Sequence, residues 1–90
     1  HWPSWLCVVA ERTVLRELQA GCLAPMGVHA TLKEQHLTLR ARLLSQDGIS
    51  CLQTDVESQL SSDRDVTSAK ELGLAAAKQL RLAGAERLLV

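Results

Sequence analysis

Ninety residues with ten basic and ten acidic side chains, and hence no net charge, fit one small domain (residues 1–90). That balance argues against a non-specific nucleic-acid binder, which needs a basic surplus to neutralise phosphates, although it leaves room for a local basic patch. Hydrophobic residues make up 47% of the chain but include two Trp and no Phe or Tyr, so the core must be aliphatic. A chain this short buries only about 60% of its unfolded surface, which predicts modest stability.

The three cysteines, Cys7, Cys22 and Cys51, are odd in number and contain no C-x-x-C pair. A disulfide framework uses an even set and a zinc site uses close ligand pairs, so no metal is expected and a reducing, cytoplasmic setting is the default reading. No apolar run approaches the ~18 residues needed to span a bilayer, and no membrane association is expected. The N-terminus lacks the basic start and apolar stretch of a signal peptide. It begins at His1 rather than Met, consistent with a piece of something longer.

In chain order, Trp2-Pro3-Ser4 reads as an extended lead-in, with Ser4 capping a helix and residues 1–4 forming an interdomain linker. Val8, Val9, Val14, Leu15 and Leu18 then recur at near-helical spacing among charged residues, which predicts a first helix over residues 5–20 stopped by Gly21. Cys22 to Gly27 reads as a loop, because Pro25 cannot donate to a sheet ladder and Gly27 allows a tight bend.

The period then changes to two. Val28, Ala30 and Leu32 alternate with polar residues, Lys33 to His36 makes a polar turn, and Leu37, Leu39, Ala41 and Leu43 alternate again. Ser45-Gln46-Asp47-Gly48 is a hairpin turn. A third strand is expected from Ile49 to Val56, but its inward face is ambiguous. Ile49 and Cys51 point one way and Leu52, Thr54 and Val56 the other, which a bulge would reconcile.

Residues 58–67 read as a loop. Ser68 with Glu71 matches a capping box, predicting a second helix over Ala69 to Ala83 with Ala69, Leu72, Ala76 and Leu80 as its buried stripe. Gly73 beside that stripe costs about 1 kcal/mol against Ala, a cost a close contact would explain. Gly84 stops the helix, and Ala85 to Val90 adds a short turn. The fold class is α+β: a three-stranded antiparallel sheet with two helices packed on one face, in the order α-β-β-β-α. The open face is expected to carry His29, Thr31, Arg40 and Arg42.

The segment ERTVLRELQAGCLAPMG, residues 11–27, resembles the cofactor-attachment signature of hydroxymethylbilane synthases, also called porphobilinogen deaminases. Glu11, Arg12, Val14, Leu18, Gly21, Cys22, Pro25, Met26 and Gly27 fit it. Ala20 stands where the family usually has Gly, and Ala24 where it has a β-branched residue. The similarity continues through HLTLRARLL, the SQDG turn and the closing AKELGLAAAKQLRLAGAERLL. It implies the third domain of a three-domain transferase of tetrapyrrole (haem) biosynthesis, acting in the cytoplasm or in plastids. The enzyme joins four porphobilinogen units head to tail to hydroxymethylbilane, releasing ammonia, on a dipyrromethane cofactor held by the cysteine.

On that resemblance Cys22 is the covalent thioether site. Loss of ammonia from porphobilinogen leaves an electron-poor methylene carbon that suits a soft sulfur nucleophile. A cysteine after a helix C-terminus is not favoured as thiolate, but a one-time attachment does not need one. Gly21 shapes the loop, and Arg12 could reach an acetate or propionate of the cofactor, with a surface ion pair an equal alternative. No catalytic residue is expected in this domain, since the resemblance places the active-site aspartate and most substrate-binding arginines in domains 1 and 2. The isolated chain should therefore be inactive, and the full enzyme a monomer.

The plainer readings are packing for Cys7 and Cys51, a structural role for Glu11, and solvated positions for His29 and His36. Arg40 and Arg42 read as a solvated sheet face or, less simply, a contact with another domain. For the whole chain the alternative is a non-catalytic α+β packing or interaction module.

Overall fold

A computed structural model describes residues 2–18, 26–45 and 48–84. The order is α1 (Trp2–Leu18), β1 (Met26–Lys33), β2 (His36–Leu44), β3 (Cys51–Gln59) and α2 (Val66–Leu82), with the sheet ordered β1-β2-β3 and both pairings antiparallel. The expected α+β architecture is therefore the one observed. α1 lies against β1, α2 against β3 and β2, and the two helices pack side by side on one face.

The core is the aliphatic layer that the composition demands. Leu6, Val9, Ala10, Val14 and Leu18 of α1 meet Ala69, Leu72, Ala76, Ala77 and Leu80 of α2 over Ala30, Leu37, Leu39, Ala41 and Leu43 of the sheet, all buried. The period-two alternation does its work here: one-in, one-out along β2 puts every Leu or Ala from Leu37 to Leu43 beneath the helices.

Several boundaries differ from the sequence reading. α1 begins at Trp2, so Pro3 and Ser4 lie in its first turn and Ser4 is not the cap. A first-turn proline is tolerated because its missing N–H would have had no partner in the helix anyway. Trp2 is also drawn in by Arg64, whose guanidinium sits 5.1 Å from the ring centroid. β1 starts at Met26, two residues before the expected Val28, so Met26 and Gly27 belong to the ladder rather than the loop. The expected end of helix one at residue 20 and its stop at Gly21 lie outside the described residues, as does the short turn over Ala85 to Val90.

The β1–β2 turn is tighter than its composition suggests. Lys33 pairs with His36, leaving Glu34 and Gln35 as a two-residue connection with φ of 52° and 66°. Both being left-handed is the signature of the turn that usually takes Asn-Gly. Gln35 is held there by its side chain donating to Asp63 at 2.9 Å and its carbonyl accepting from the Leu60 amide at 2.7 Å.

The ambiguity in β3 resolves without a bulge. Pairing runs unbroken from Leu44–Cys51 to His36–Gln59, and Leu52, Thr54, Val56 and Ser58 face inward. Cys51 is exposed, against its expected packing role, and Ile49 lies 84% exposed before the strand. The inward set contains a polar residue because Thr54, 8% exposed, donates its hydroxyl to Gln79 of α2. The strand also extends past Val56 to Gln59, shortening the expected loop.

α2 starts at Val66, three residues ahead of the expected Ala69, and is capped by Asp65 rather than Ser68. Asp65 accepts from the Ser68 amide at 3.0 Å, and from the amide and hydroxyl of Ser61 at 2.9 and 2.8 Å. These donors, the Ser61 amide foremost, hold its carboxyl far below the usual carboxylate range. At the other end Gly84, at φ 108°, ends the helix as expected.

Gly73 is required by the meeting of the helices. A Cβ placed there would lie 2.6 Å from Thr13 Cβ and 2.7 Å from the Ala10 carbonyl oxygen. The neighbours are backbone and a β-carbon, which cannot rotate away. Gly73→Ala should therefore destabilise the fold by about 1–2 kcal/mol, the overpacking cost exceeding the helix-propensity gain. A urea titration checks this, and an unchanged or raised midpoint would refute it.

Asp65 gives a pH prediction. Its folded pKa lies below its unfolded value of 3.8, so its contribution is complete above that value and disappears as pH falls below it. Asp65→Asn keeps an acceptor but removes the charge. Its stability deficit against the parent should be full near about pH 6 and narrow steadily below about pH 4, as read by denaturant titrations across that range. A deficit independent of pH would contradict the assignment.

Candidate functional site

The motif to which the sequence assigns chemistry lies between α1 and β1. Its central residues, Gly21 and Cys22, lie outside the described residues, but its two anchors are well defined. Leu18, 1% exposed, is the last described residue of α1, and Met26 is the first of β1 and packs on the core. Cys22 is four positions along the chain from each, and an extended chain spans at most about 3.6 Å per residue, so the covalent chain keeps Cys22 within about 14 Å of both.

Each anchor is tied down by a side chain from elsewhere. On the α1 side, Arg81 in the last turn of α2 donates to the Glu17 carbonyl, and its guanidinium lies 3.5 Å from Glu17 Oε2. A carbonyl in the final turn of a helix has no partner within that helix, and a cation there also matches the helix dipole. On the β1 side, Glu11 Oε2 accepts the Ala30 amide at 2.8 Å. β1 is an edge strand with amides that face away from β2, so the carboxylate both satisfies one of them and fastens α1 to the edge. Glu11 thus has the structural role that its sequence suggested.

Neither tie could be read from spacing. Arg81 and Glu17 are 64 positions apart, and Glu11 and Ala30 are 19 apart, with no periodicity linking them. The available signal was the charge of Arg81 at the end of a helix, which marks a C-terminus without naming the partner.

Arg12 is exposed on α1, turned away from the buried stripe, and no carboxylate among the described residues pairs with it. The surface ion pair considered as its alternative role is not formed with those residues.

The remaining thiols differ sharply. Cys7 is half-buried against the core, where burial, with a smaller push from Glu11, raises its pKa. Cys51 is exposed on the open sheet face, its Sγ 4.0 Å from Arg42 Nη2 and 3.8 Å from the Leu52 carbonyl oxygen. His29 is exposed, while His36 is bonded to Glu57 at 3.1 Å and approaches Gln59 at 3.4 Å. These partners, Glu57 first, raise the His36 pKa. Among the described residues no three of His, Cys, Asp and Glu gather as a metal site, and no helix is long and apolar enough to cross a membrane.

Comparison with known proteins places these observations in a family. The model described as "Porphobilinogen deaminase, C-terminal domain" matches residues 5–81. The chain is 41% identical over 70 residues to porphobilinogen deaminase of Helicobacter hepaticus, covering 78% of this chain and 22% of that protein. It is 45% identical over 74 residues to porphobilinogen deaminase of Thermus thermophilus, covering 81% and 23%. With the probable porphobilinogen deaminase of Methanothermobacter thermautotrophicus it shares 40% over 74 residues, covering 80% and 26%. The chain thus spans about a quarter or less of the length of these curated relatives.

The thiol environments predict an order of labelling. In a time course with iodoacetamide at about pH 8, Cys51 should be alkylated several-fold faster than Cys7, because only the thiolate attacks and burial both blocks and disfavours it at Cys7. Peptide mapping by mass spectrometry reads this, and equal rates would show that Cys7 is not shielded.

Proposed function

Because the chain belongs to the porphobilinogen deaminase family, as its C-terminal domain, we propose that it is the cofactor-carrying domain of a hydroxymethylbilane synthase. In that reading its partners are the N-terminal domains 1 and 2 of the same enzyme. The substrate is porphobilinogen, the assembled enzyme is a monomer, and the setting is the cytoplasm. The observation that supports it best is the family match running through the Gly21-Cys22 segment, together with an α1–β1 corner whose two ends are locked by Arg81 and Glu11.

Cys22 is the tether, through a thioether from its Sγ to the dipyrromethane. When bound, that group supplies the pyrrole end on which four porphobilinogen units are joined with release of ammonia. The chain's own residues hold the sulfur. The segment that holds Gly21, Cys22 and Pro25 follows the buried Leu18 and leads into the core-packed Met26, which anchor its two ends. The attachment happens once and the thioether is stable after it forms, so a fast, strongly activated thiolate is not needed, in keeping with a cysteine placed after a helix C-terminus in the sequence. Arg12, exposed and without a described carboxylate partner, is available to an acetate or propionate of the bound group. The activating groups are assigned to the other domains, and the 90 residues alone should not consume porphobilinogen.

The test is intact-mass measurement of the enzyme that contains this domain, followed by peptide mapping. A mass increment equal to a dipyrromethane should map to Cys22 and vanish, with activity, in Cys22→Ser. An adduct that maps to Cys7 or Cys51, or persists in Cys22→Ser, would overturn the assignment. A protein with no adduct at all would leave a packing module.

A further inference from the structure

The two guanidinium groups of the open sheet face are not equivalent. Arg40 lies opposite Asp55 in the ladder and its Nε donates to Oδ1 at 2.7 Å, an interaction that holds the Asp55 carboxyl below the usual range. Arg42, two residues along on the same face, lies opposite Gly27 on β1 and Gln53 on β3. No carboxylate among the described residues pairs with it, and its Nη2 lies 4.0 Å from Cys51 Sγ.

Arg42 also borders a hollow of about 320 Å³ lined by Met26, Gly27 and Leu44. Gly27 leaves it open: a Cβ placed there would meet nothing within 4 Å. The result is a patch of bare strand backbone bordered by Met26 and Leu44 and by one guanidinium that has no carboxylate partner among the described residues. It sits at the end of the sheet where the chain enters β1, and Met26 is four residues beyond Cys22.

We propose that this hollow is a carboxylate subsite, in which Arg42 binds the acetate or propionate of a pyrrole whose ring lies over the Gly27 backbone beside Leu44. The identity of the pyrrole rests on the function proposed above; the carboxylate chemistry rests on the hollow alone. A guanidinium fork matches a carboxylate through two parallel N–H···O bonds. An exposed pair of this kind is weak, so a free ligand should bind only in the millimolar range. Tethering changes the arithmetic. A ligand attached to the same chain a few residues away is present at a comparable effective concentration, and a weak subsite is then substantially filled.

The experiment uses the 90-residue chain carrying Cys22→Ser, so that no covalent attachment can contribute, labelled with nitrogen-15. Porphobilinogen is titrated while the Gly27 amide and the Arg42 side-chain Nε–H resonances are followed. Saturable shifts at both with a millimolar midpoint are expected. Arg42→Met should weaken the midpoint by at least about tenfold, and Arg40→Met should leave it unchanged. Both side chains are exposed, so neither variant threatens the fold. Inorganic phosphate serves as the second probe and should bind more weakly than porphobilinogen. Absence of a saturable shift, an unchanged midpoint in Arg42→Met, or phosphate binding as well as porphobilinogen would each overturn the subsite. The Cys22 adduct is read separately by mass, so an adduct with a failed titration removes only the subsite. A positive titration without an adduct removes only the tether.

Discussion

The close approach of two helices at Gly73 sets the geometry of everything else in this domain. With no Phe or Tyr to fill volume, the core must be closed by bringing backbones together rather than by wedging rings between them. Ala10, Ala69, Ala76 and Ala77 belong to the same buried cluster, and Gly73 stands directly against Ala10 and Thr13. Small residues at a helix crossing gain dispersion contacts along both backbones, and they tolerate neither growth nor shift. That is why a residue unfavourable to helices persists in the middle of one.

Fixing α2 against α1 has a consequence at the far end of both. Once the crossing is set, Arg81 arrives beside the last turn of α1 and can satisfy the Glu17 carbonyl, while Glu11 reaches the edge of β1 from the other direction. The chain between α1 and β1 is thus strung between two points that belong to the rigid layer. Closing the chain between those points adds little entropic cost, since the core already holds both ends. The ties from Arg81 and Glu11 thereby hold the end of α1 and the edge of β1 on either side of the segment that contains Cys22.

The sequence disclosed the parts that repeat and concealed those that occur once. The alternation through Leu37, Leu39, Ala41 and Leu43, and the stripe of Ala69, Leu72, Ala76 and Leu80, were legible because burial imposes a period on many residues together. Gly73 was legible as a contact because its cost demanded one. β3 was not, because an inward Thr54 and outward Ile49 and Cys51 invert the usual pattern. Only the Gln79 partner explains the first. The start of α2 was misplaced because Ser61, Ser62, Asp63, Asp65, Thr67 and Ser68 are all competent caps, and spacing to Glu71 favoured the wrong one. Asp65 prevails through the Ser61 amide and hydroxyl, donors that depend on how the chain leaves β3. The motif around Cys22 was legible by resemblance, whereas the ties from Arg81 and Glu11 depend on tertiary placement and left no mark on local spacing.

The open face of the sheet shows how pairing decides which charges are available. An antiparallel ladder assigns each outward residue a cross-strand neighbour, and a residue's chemistry follows from that neighbour as much as from its own type. Register gives Arg40 an aspartate and His36 a glutamine, with Glu57 also in reach, so both spend their hydrogen-bonding capacity within the sheet. The same register gives Arg42 a glycine and a glutamine. A one-residue slip would exchange these partners, but it would also turn Leu37, Leu39 and Leu43 out of the core, so the buried face forbids it. The packing beneath the sheet therefore sets which partner each outward cation meets, and Arg42, with no carboxylate partner among the described residues, lies on the strand paired with the start of β1.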